Sequence, residues 1–244
     1  MWDNHKALNS FASFLFGAAL LMSLVAGGYW IAHSSYFPVR KIRIDGALKH
    51  VTPEQLRLVA ESELKGTFFT LNLDATREAF EKLPWVRRAV VRRQWPDQLE
   101  IVIDEHRAVA RWGESGLLSS QGEWFDAASS EALPMVEGPA GSEKDLVRAL
   151  ADAGRLLAPA SLRVAGLKLS ERRAWDVMLS NGVQLRLGHD DVEGRMARFV
   201  AVWQQELVKL PYRIEYVDLR YPNGFAVRMP DYKPGNVLPR KPAA

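Results

Sequence analysis

The chain has 244 residues, a formal net charge of +3 at neutral pH and no cysteine. Without cysteine, disulfides, thiol catalysis and cysteine metal sites are excluded. The mild positive excess does not require a nucleic-acid partner, and the length suits two small domains behind an N-terminal apolar segment.

The apolar segment runs from Phe11 to Ala32 and carries no charged side chain. About 20 apolar residues in a helix span the roughly 30 Å core of a bilayer, where a helix satisfies its own backbone hydrogen bonds. We predict a transmembrane helix over residues 11–33, preceded by a cytoplasmic tail of residues 1–10. The alternative is a cleaved signal peptide, but the apolar core of such signals is usually only about 7–15 residues long.

The orientation of this helix is not given by the nearby charges. Lys6 precedes it, whereas Arg40, Lys41 and Arg43 follow it, so local positive charge argues weakly for a cytoplasmic body. Large domains translocate largely regardless of such charges. A short head, an apolar span and a long body favour a signal-anchor with the body outside the cytoplasm.

Residues 37–106 show the order strand, helix, helix, strand, strand. Alternating apolar and basic residues predict the first strand over Phe37 to Ile44. Thr52 is predicted to cap the first helix, with Pro53 at its first position and Gln55 completing a capping box.

The second helix of this region is predicted to be capped by Asp74 and to end before Pro84. Two strands follow, Val86 to Trp95 and Leu99 to about Val109, joined by a turn at Pro96-Asp97. Two helices would then cover one face of a three-stranded sheet, which is an α+β arrangement.

One interpretation of the four arginines on the second strand is a surface that binds nucleic acid. Because neighbours on a strand point to opposite faces, the pairs Arg87-Arg88 and Arg92-Arg93 should split across the sheet. We therefore predict a solvated surface with a few ion pairs.

Residues 107–229 are predicted to form a mostly antiparallel β domain with packed helices. Ser142 can cap one helix, and Asp190 or Asp191 can cap another whose apolar stripe runs from Val192 to Leu207. An Asn181-Gly182 turn predicts a hairpin.

The C-terminal part of this domain is predicted to be a second hairpin. Its strands are Ile214 to Tyr221 and Phe225 to Met229, and residues 230–244 form a flexible tail. If the last strand ends the sheet, its unpaired backbone groups could accept an added partner strand.

Candidate catalytic residues are few. His189-Asp190-Asp191 could begin a metal or acid–base site, but no other histidine lies at ligand spacing, and an aspartate here suits a helix cap. No Gly-x-Ser-x-Gly elbow is present. We predict no catalytic residue, no metal site and no cofactor.

Short sequence motifs stand out in both domains. In the first they are Pro84-Trp85-Val86, Gln94 to Leu99 and Ile101 to Glu105, which resemble the end of a POTRA domain. In the second they are Arg172 to Trp175 and Tyr216 to Tyr221, followed by Asn223-Gly224. Together these motifs resemble those of the FtsQ/DivIB family of bacterial cell-division proteins, and the second set is similar to the family's β domain. The resemblance covers nearly the whole chain and is weakest in the first ten residues, residues 113–170 and the tail.

This resemblance implies a non-catalytic, single-pass inner-membrane scaffold of the divisome at the division septum. The N-terminus would be cytoplasmic and the C-terminal region periplasmic. The β domain would bind FtsB, within an FtsB–FtsL complex, by strand addition. FtsK and other divisome proteins would contact the POTRA domain and the transmembrane helix, so that the chain links early and late division proteins.

The resemblance also implies partner-binding residues. In the C-terminal hairpin they are Arg220, Tyr221, Asn223, Gly224, Phe225 and Met229. Arg172 would pair with an acidic residue of FtsB, because a guanidinium can hold a carboxylate bidentately. Val91 and Arg93 match the surface related to FtsK.

Two other interpretations stay open at the level of the residues. Tyr221 and Phe225 could simply pack a terminal hairpin. The chain could also be a membrane-anchored periplasmic protein that binds the cell wall, or a wall enzyme. A cleft with two carboxylates of perturbed pKa would favour the enzyme, whereas an open edge strand would favour a protein-binding scaffold.

Overall fold

The computed structural model describes residues 5–33 and 37–233. It divides into two compact units, the first ending at His106 and the second beginning at Arg107. Most of the tail predicted for residues 230–244 and the first residues of the N-terminal tail lie outside the described residues.

The apolar segment forms one helix, α1, over His5–His33. Its part from Leu8 to His33 is long and apolar enough to cross a membrane, and its large apolar side chains are exposed on all sides. A helix with apolar side chains all round needs an apolar environment. The prediction of an apolar helix at 11–33 is confirmed.

The rest of the first unit has the predicted order of strand, helix, helix, strand, strand. Its elements are β1 (Lys41–Asp45), α2 (Pro53–Glu63), α3 (Leu73–Glu81), β2 (Val86–Gln94) and β3 (Gln98–Glu105). In its three-stranded sheet β3 is central, parallel to β1 and antiparallel to β2. The core holds apolar residues of the sheet and both helices, with Phe80 of α3 fully buried.

Helix α2 begins with the predicted capping box. The Thr52 hydroxyl accepts a hydrogen bond from the backbone N–H of Gln55 at 3.3 Å, and the Gln55 side chain accepts one from the N–H of Thr52 at 3.0 Å. Pro53 occupies the first helical turn, where its missing N–H has no cost. Two orphan donors of the helix end are thereby satisfied.

Replacing Thr52 by alanine is expected to destabilise the first unit by about 1 kcal/mol, because one side of the capping box is lost. Urea unfolding followed by circular dichroism would measure this change. Thr52→Ser is the matched control, since it keeps the hydroxyl acceptor. Equal stability of the alanine variant and the wild type would contradict a role for this cap.

Two predicted boundaries in the first unit are wrong. The first strand begins at Lys41 rather than Phe37, and the Phe37 carbonyl instead accepts a hydrogen bond from the N–H of Phe68 at 2.9 Å. The cap of α3 is Asn72 rather than Asp74. The Asn72 side chain accepts from the two exposed N–H groups of the first turn, both at 3.1 Å, so the helix starts earlier.

Glu105, at the end of β3, binds the loop that precedes α2. Its carboxylate accepts hydrogen bonds from the backbone N–H groups of Lys49, His50 and Val51. Burial by itself would raise the pKa of Glu105, but these bonds and one from the His50 side chain outweigh it and lower the pKa. The loop before α2 is thus fixed to the sheet.

The second unit is an α+β domain around one nine-stranded sheet. Its strands are β4 (Ala108–Trp112), β5 (Leu117–Ser119), β6 (Trp124–Phe125), β7 (Met135–Glu137), β8 (Val164–Leu169), β9 (Trp175–Leu179), β10 (Gln184–Gly188), β11 (Tyr216–Asp218) and β12 (Ala226–Arg228). Its helices include α4 (Glu143–Leu157) and α5 (Val192–Gln205).

The strands of this sheet follow the order β12-β11-β10-β9-β8-β7-β4-β5-β6. Most pairings are antiparallel, as predicted, and the parallel ones join β4 to β7, β7 to β8 and β10 to β11. The hairpin predicted around Asn181-Gly182 is β9–β10. Buried residues of α4 and α5 join those of the sheet in one core, where Phe199 is fully buried.

Three predictions for this region need correction. The strand predicted from Leu99 to about Val109 is two strands in two sheets, because the N–H of His106 bonds to the Trp85 carbonyl and closes the first sheet. The strand predicted from Ile214 to Tyr221 is shorter than predicted, because only Tyr216–Asp218, which is β11, forms a strand. Ser142 precedes α4 but does not cap it, since its hydroxyl donates to the Pro139 carbonyl at 2.6 Å.

The predicted cap of α5 is confirmed. Asp191 accepts a hydrogen bond from the N–H of Gly194 at 3.3 Å. Asp190 instead lies 2.7 Å from the imidazole of His189, on the surface. No group of three or more potential ligands that could hold a metal is found among the described residues.

Candidate partner-binding edge

Strand β12 lies at one end of the nine-stranded sheet. It pairs with β11 on one side, with Val217 opposite Val227. Within residues 5–33 and 37–233, no strand pairs with the other side of β12, so this side is an open edge where backbone N–H and C=O groups are available to another strand. The strand is only three residues long, which limits indiscriminate pairing.

The backbone of Val227 faces this open side. The carbonyl of Arg228 points towards β11, because it accepts a hydrogen bond from the N–H of Glu215 at 2.9 Å. Backbone groups of successive strand residues point in opposite directions within the sheet. The N–H and C=O of Val227 are consequently directed away from β11.

The side chains of the edge strand divide between the two faces of the sheet. Phe225, Val227 and Met229 are partly buried against the core of the second unit. Ala226 and Arg228 are exposed, and Arg228 forms an ion pair with Glu215 at 2.9 Å. Phe225 and Met229 therefore contribute to packing as well as lining the edge.

An ion pair fixes the chain where β11 ends. Asp218 is 5% exposed, and its carboxylate accepts hydrogen bonds from the guanidinium of Arg220 at 2.6 to 3.1 Å and from the N–H of Arg220 at 3.1 Å. The hydrogen bonds from the Arg220 side chain are the main reason that the pKa of Asp218 is lowered. The same contact raises the pKa of Arg220.

The turn before β12 is held by helix α5. Arg198 donates to the carbonyls of Tyr221 at 3.4 Å and of Pro222 at 3.1 Å. Tyr221 is 55% exposed, Asn223 is exposed, and Gly224 is half-buried. The turn thus presents an aromatic side chain and an amide beside the edge.

Arg198 was not among the predicted binding residues. Arg195, three residues earlier, donates to the Leu187 carbonyl, so both arginines bond to backbone at one end of the sheet. The available signal was their three-residue spacing on one side of an amphipathic helix. Without the fold, nothing indicated which carbonyls they would reach.

Arg172 lies in the exposed turn between β8 and β9, three strands from the edge. It lies at the same end of the sheet as the C-terminal turn, because Trp175 at the start of β9 is opposite Gly188. Gly188 in turn adjoins Arg220, whose Cγ would be 3.3 Å from a Cβ at that glycine. The predicted hairpin residues are thus gathered at the edge, and Arg172 is set back from it.

Val91 and Arg93 belong to the first unit. Val91 is partly buried against that unit's core. The Arg93 guanidinium donates to the carbonyls of Phe68 at 2.6 Å, Phe69 at 3.3 Å and Leu71 at 2.6 Å. Its hydrogen-bond donors therefore serve to hold the loop between α2 and α3.

The chain matches two family models and several curated proteins. The model "POTRA domain, FtsQ-type" matches residues 37–106, and "Cell division protein FtsQ/DivIB, C-terminal" matches residues 110–220. A cell division protein FtsQ of Nitrosospira multiformis is 43% identical, with 93% of this chain and 99% of that protein covered. The chain belongs to the FtsQ/DivIB family.

Other FtsQ proteins are similar in sequence to this chain over comparable lengths. The FtsQ of Burkholderia pseudomallei is 42% identical over 93% of this chain and 94% of its own length, and that of Bordetella pertussis is 36% identical over 96% and 95%. The predicted family and fold class are confirmed. The matched proteins are named as cell division proteins, and the C-terminal family model ends at residue 220, before β12.

Proposed function

We propose that this chain is a non-catalytic divisome scaffold of the bacterial inner membrane that binds an FtsB–FtsL complex through β12. The open edge at Val227 is the observation that carries this proposal. Helix α1 crosses the membrane once, with the N-terminus cytoplasmic. The POTRA domain of residues 37–106 and the β domain of residues 107–229 are periplasmic, at the division septum.

Binding proceeds by addition of an FtsB strand to β12. The N–H and C=O of Val227 supply backbone hydrogen bonds, which give affinity without demanding a particular partner sequence. The exposed ring of Tyr221 and the neighbouring Asn223 contribute side-chain contacts at one end of the added strand. Arg172, at the same end of the sheet, pairs with an acidic residue of FtsB.

The edge is preorganised for this addition. Arg198 holds the turn at Tyr221 and Pro222, and Asp218 holds Arg220, so both arms of the connection between β11 and β12 are fixed. Ordering a loop on binding lowers affinity, and a connection that is already ordered avoids that cost. Arg198 and Asp218 act as positioning residues, because they support the contact residues.

The POTRA domain contacts FtsK and other division proteins that act earlier, which is the second part of the proposal. The surface around Val91 and Arg93 is the proposed site. Since the Arg93 guanidinium is bonded to three carbonyls of its own domain, Arg93 would support this site rather than bind the partner through its hydrogen-bond donors. This arrangement joins an early partner on one domain to a late partner on the other.

Replacing Val227 by proline tests the edge directly. The substitution removes the N–H that faces the partner and leaves the bonds to β11, and proline is tolerated on an edge strand where the N–H faces solvent. We expect binding of the FtsB–FtsL periplasmic segments to weaken at least about tenfold, the equivalent of one lost hydrogen bond. Calorimetry on the full chain in nanodiscs would measure it.

Val227→Ala is the matched control, because it shortens the side chain but keeps the backbone donor. Its affinity should stay within a few-fold of the wild type. Both variants should keep the wild-type circular dichroism spectrum. Unchanged affinity in the folded proline variant would place the interface elsewhere, and an equal loss in both variants would assign the energy to the side chain.

A further inference from the structure

Part of the first unit meets the end of the membrane helix. The hydroxyl of Thr67, in the loop between α2 and α3, donates to the carbonyl of Ala32 near the end of α1 at 2.7 Å. The last carbonyls of a helix have no partner within it, so this contact satisfies one of them. The N–H of the adjacent Phe68 bonds to the Phe37 carbonyl at 2.9 Å, which brings the chain after α1 to the same loop.

The hairpin between β2 and β3 reaches the same place. The N–H of Arg40 donates to the carbonyl of Asp97 at 2.9 Å. Arg93, near the end of β2, bonds to the loop carbonyls described above. Three segments, residues 37–41, 65–71 and 93–97, therefore lie together beside the end of α1.

These segments expose three aromatic side chains, which we call the juxtamembrane patch: Phe37, Phe69 and Trp95. Trp95 is 81% exposed and Phe69 is 47% exposed. The rings of Phe37 and Phe69 pack edge to face with centroids 5.3 Å apart. An aromatic side chain that stays this exposed to water does not gain the free energy of transferring its large apolar surface to an apolar environment.

Basic side chains surround the patch. Arg40, Lys41 and Lys65 are exposed on these segments, and Arg92 is exposed immediately before the third of them. The acidic groups nearby are fewer: Asp97, 4.0 Å from Arg40, Glu63 at the end of α2, and Glu100, opposite Arg92 in the sheet. Aromatic rings with basic neighbours suit the headgroup region of a bilayer that contains anionic lipids.

We propose that the juxtamembrane patch docks on the surface of the bilayer that α1 crosses, with anionic phospholipid headgroups bound by the surrounding basic side chains. This inference rests on the proposed membrane span of α1. The link from His33 to Phe37 can extend at most about 14 Å, so the patch cannot leave the membrane surface by more than a short distance. Docking restricts the motion of residues 37–106 relative to α1.

A single fluorescent label tests the proposal, because the chain has no cysteine. Gln94→Cys places the label next to Trp95, and Ala47→Cys, in the exposed loop after β1 at the opposite end of the first unit's sheet, is the matched control. The full chain is inserted into vesicles of phosphatidylcholine alone or with phosphatidylglycerol. Headgroup-linked nitroxide then quenches any label that lies at the bilayer surface.

We expect strong quenching at position 94 that increases with phosphatidylglycerol, and much weaker quenching at position 47. Adding Trp95→Ser should remove most of the quenching. Lys41→Gln and Lys65→Gln should each lower the docked-to-undocked ratio about fivefold in the anionic vesicles and have little effect in neutral ones.

Quenching at position 94 that is absent in both lipids, or unchanged by Trp95→Ser, would overturn the docking. Protection of the label only when another division protein is added would assign the patch to a protein partner and likewise overturn it. Flotation with the vesicles tests the membrane span separately. Calorimetry with FtsB–FtsL tests the edge strand, so failure of docking is distinguishable from failure of the proposed function.

Discussion

Replacing Phe199 by alanine is expected to destabilise the second unit by about 3–5 kcal/mol, since it removes a fully buried aromatic side chain and leaves a cavity. Phe199 lies on α5 and packs near Trp203, with ring centroids 5.6 Å apart. Because a domain of this size has only about 5–15 kcal/mol of stability, most of its margin would be lost. Urea unfolding monitored by peptide-resolved hydrogen exchange would measure the change.

Phe80→Ala is the matched variant in the first unit, where Phe80 is equally buried. The two side chains belong to separate cores. We expect each substitution to lower exchange protection in its own unit and leave the other unchanged. Loss of protection throughout the chain from either substitution would show that the two units unfold as one.

The Phe199 variant also bears on function. Arg198 is its neighbour on α5 and holds the turn before β12 through two carbonyls. Loosening α5 should therefore weaken partner binding even under conditions where the unit is still folded. Arg198→Ala separates the two effects, because it removes the hold on the turn without opening a cavity in the core.

Asp218→Asn is expected to cost about 2 kcal/mol at neutral pH, because a nearly buried carboxylate that accepts several charge-assisted hydrogen bonds is replaced by a neutral amide. The amount is moderated by the position of Arg220, whose side chain is 58% exposed and so partly screened by water. The loss should appear in the second unit, at the connection that leads to β12.

The pH dependence of this effect has a definite sign. The pKa of Asp218 is lowered in the folded chain, first by the hydrogen bonds of Arg220. Its stabilising effect is therefore complete above the ordinary aspartate value near 4 and disappears as the pH falls through the lowered pKa. The stability difference between wild type and Asp218→Asn should be constant near neutrality and shrink below about pH 4.

Asp126→Asn is the control for this series, as Asp126 is an exposed carboxylate in the same unit. Its stability should match the wild type across the range. The pKa of Glu105 is also lowered, so the stability of the first unit should fall in acid as well. The hydrogen-exchange comparison therefore uses only peptides from the second unit. A difference that persists unchanged at pH 2 would contradict the proposed role of the Asp218 carboxylate.

Local sequence signals predicted the elements that rest on local chemistry. Thr52 and Gln55 identify the start of α2, Asp191 that of α5, and Asn181-Gly182 the β9–β10 hairpin. In each case the hydrogen bonds or backbone angles involve residues within a few positions of one another. The apolar helix at the N-terminus is equally local, since composition and length suffice.

Boundaries that depend on distant partners were predicted less well. Strand β11 ends at Asp218, the last residue that pairs with both β10 and β12, and the first sheet ends where His106 bonds to Trp85, so neither strand could be bounded from alternation alone. The short strands β5, β6 and β7 carry too few residues for a periodic signal. Their pairing comes from the sheet around them.

Residue patterns alone predict the N-terminal apolar helix, the α+β class, and the motifs that place the chain in the FtsQ/DivIB family. The fold is needed to show that β12 is an edge, that the backbone of Val227 faces outward, and that Arg198 supports the turn beside it. The difference lies in the sequence separation over which the interactions act. Capping, turns and apolar periodicity act between near neighbours, whereas an edge is defined by which distant strands pair and which side stays open.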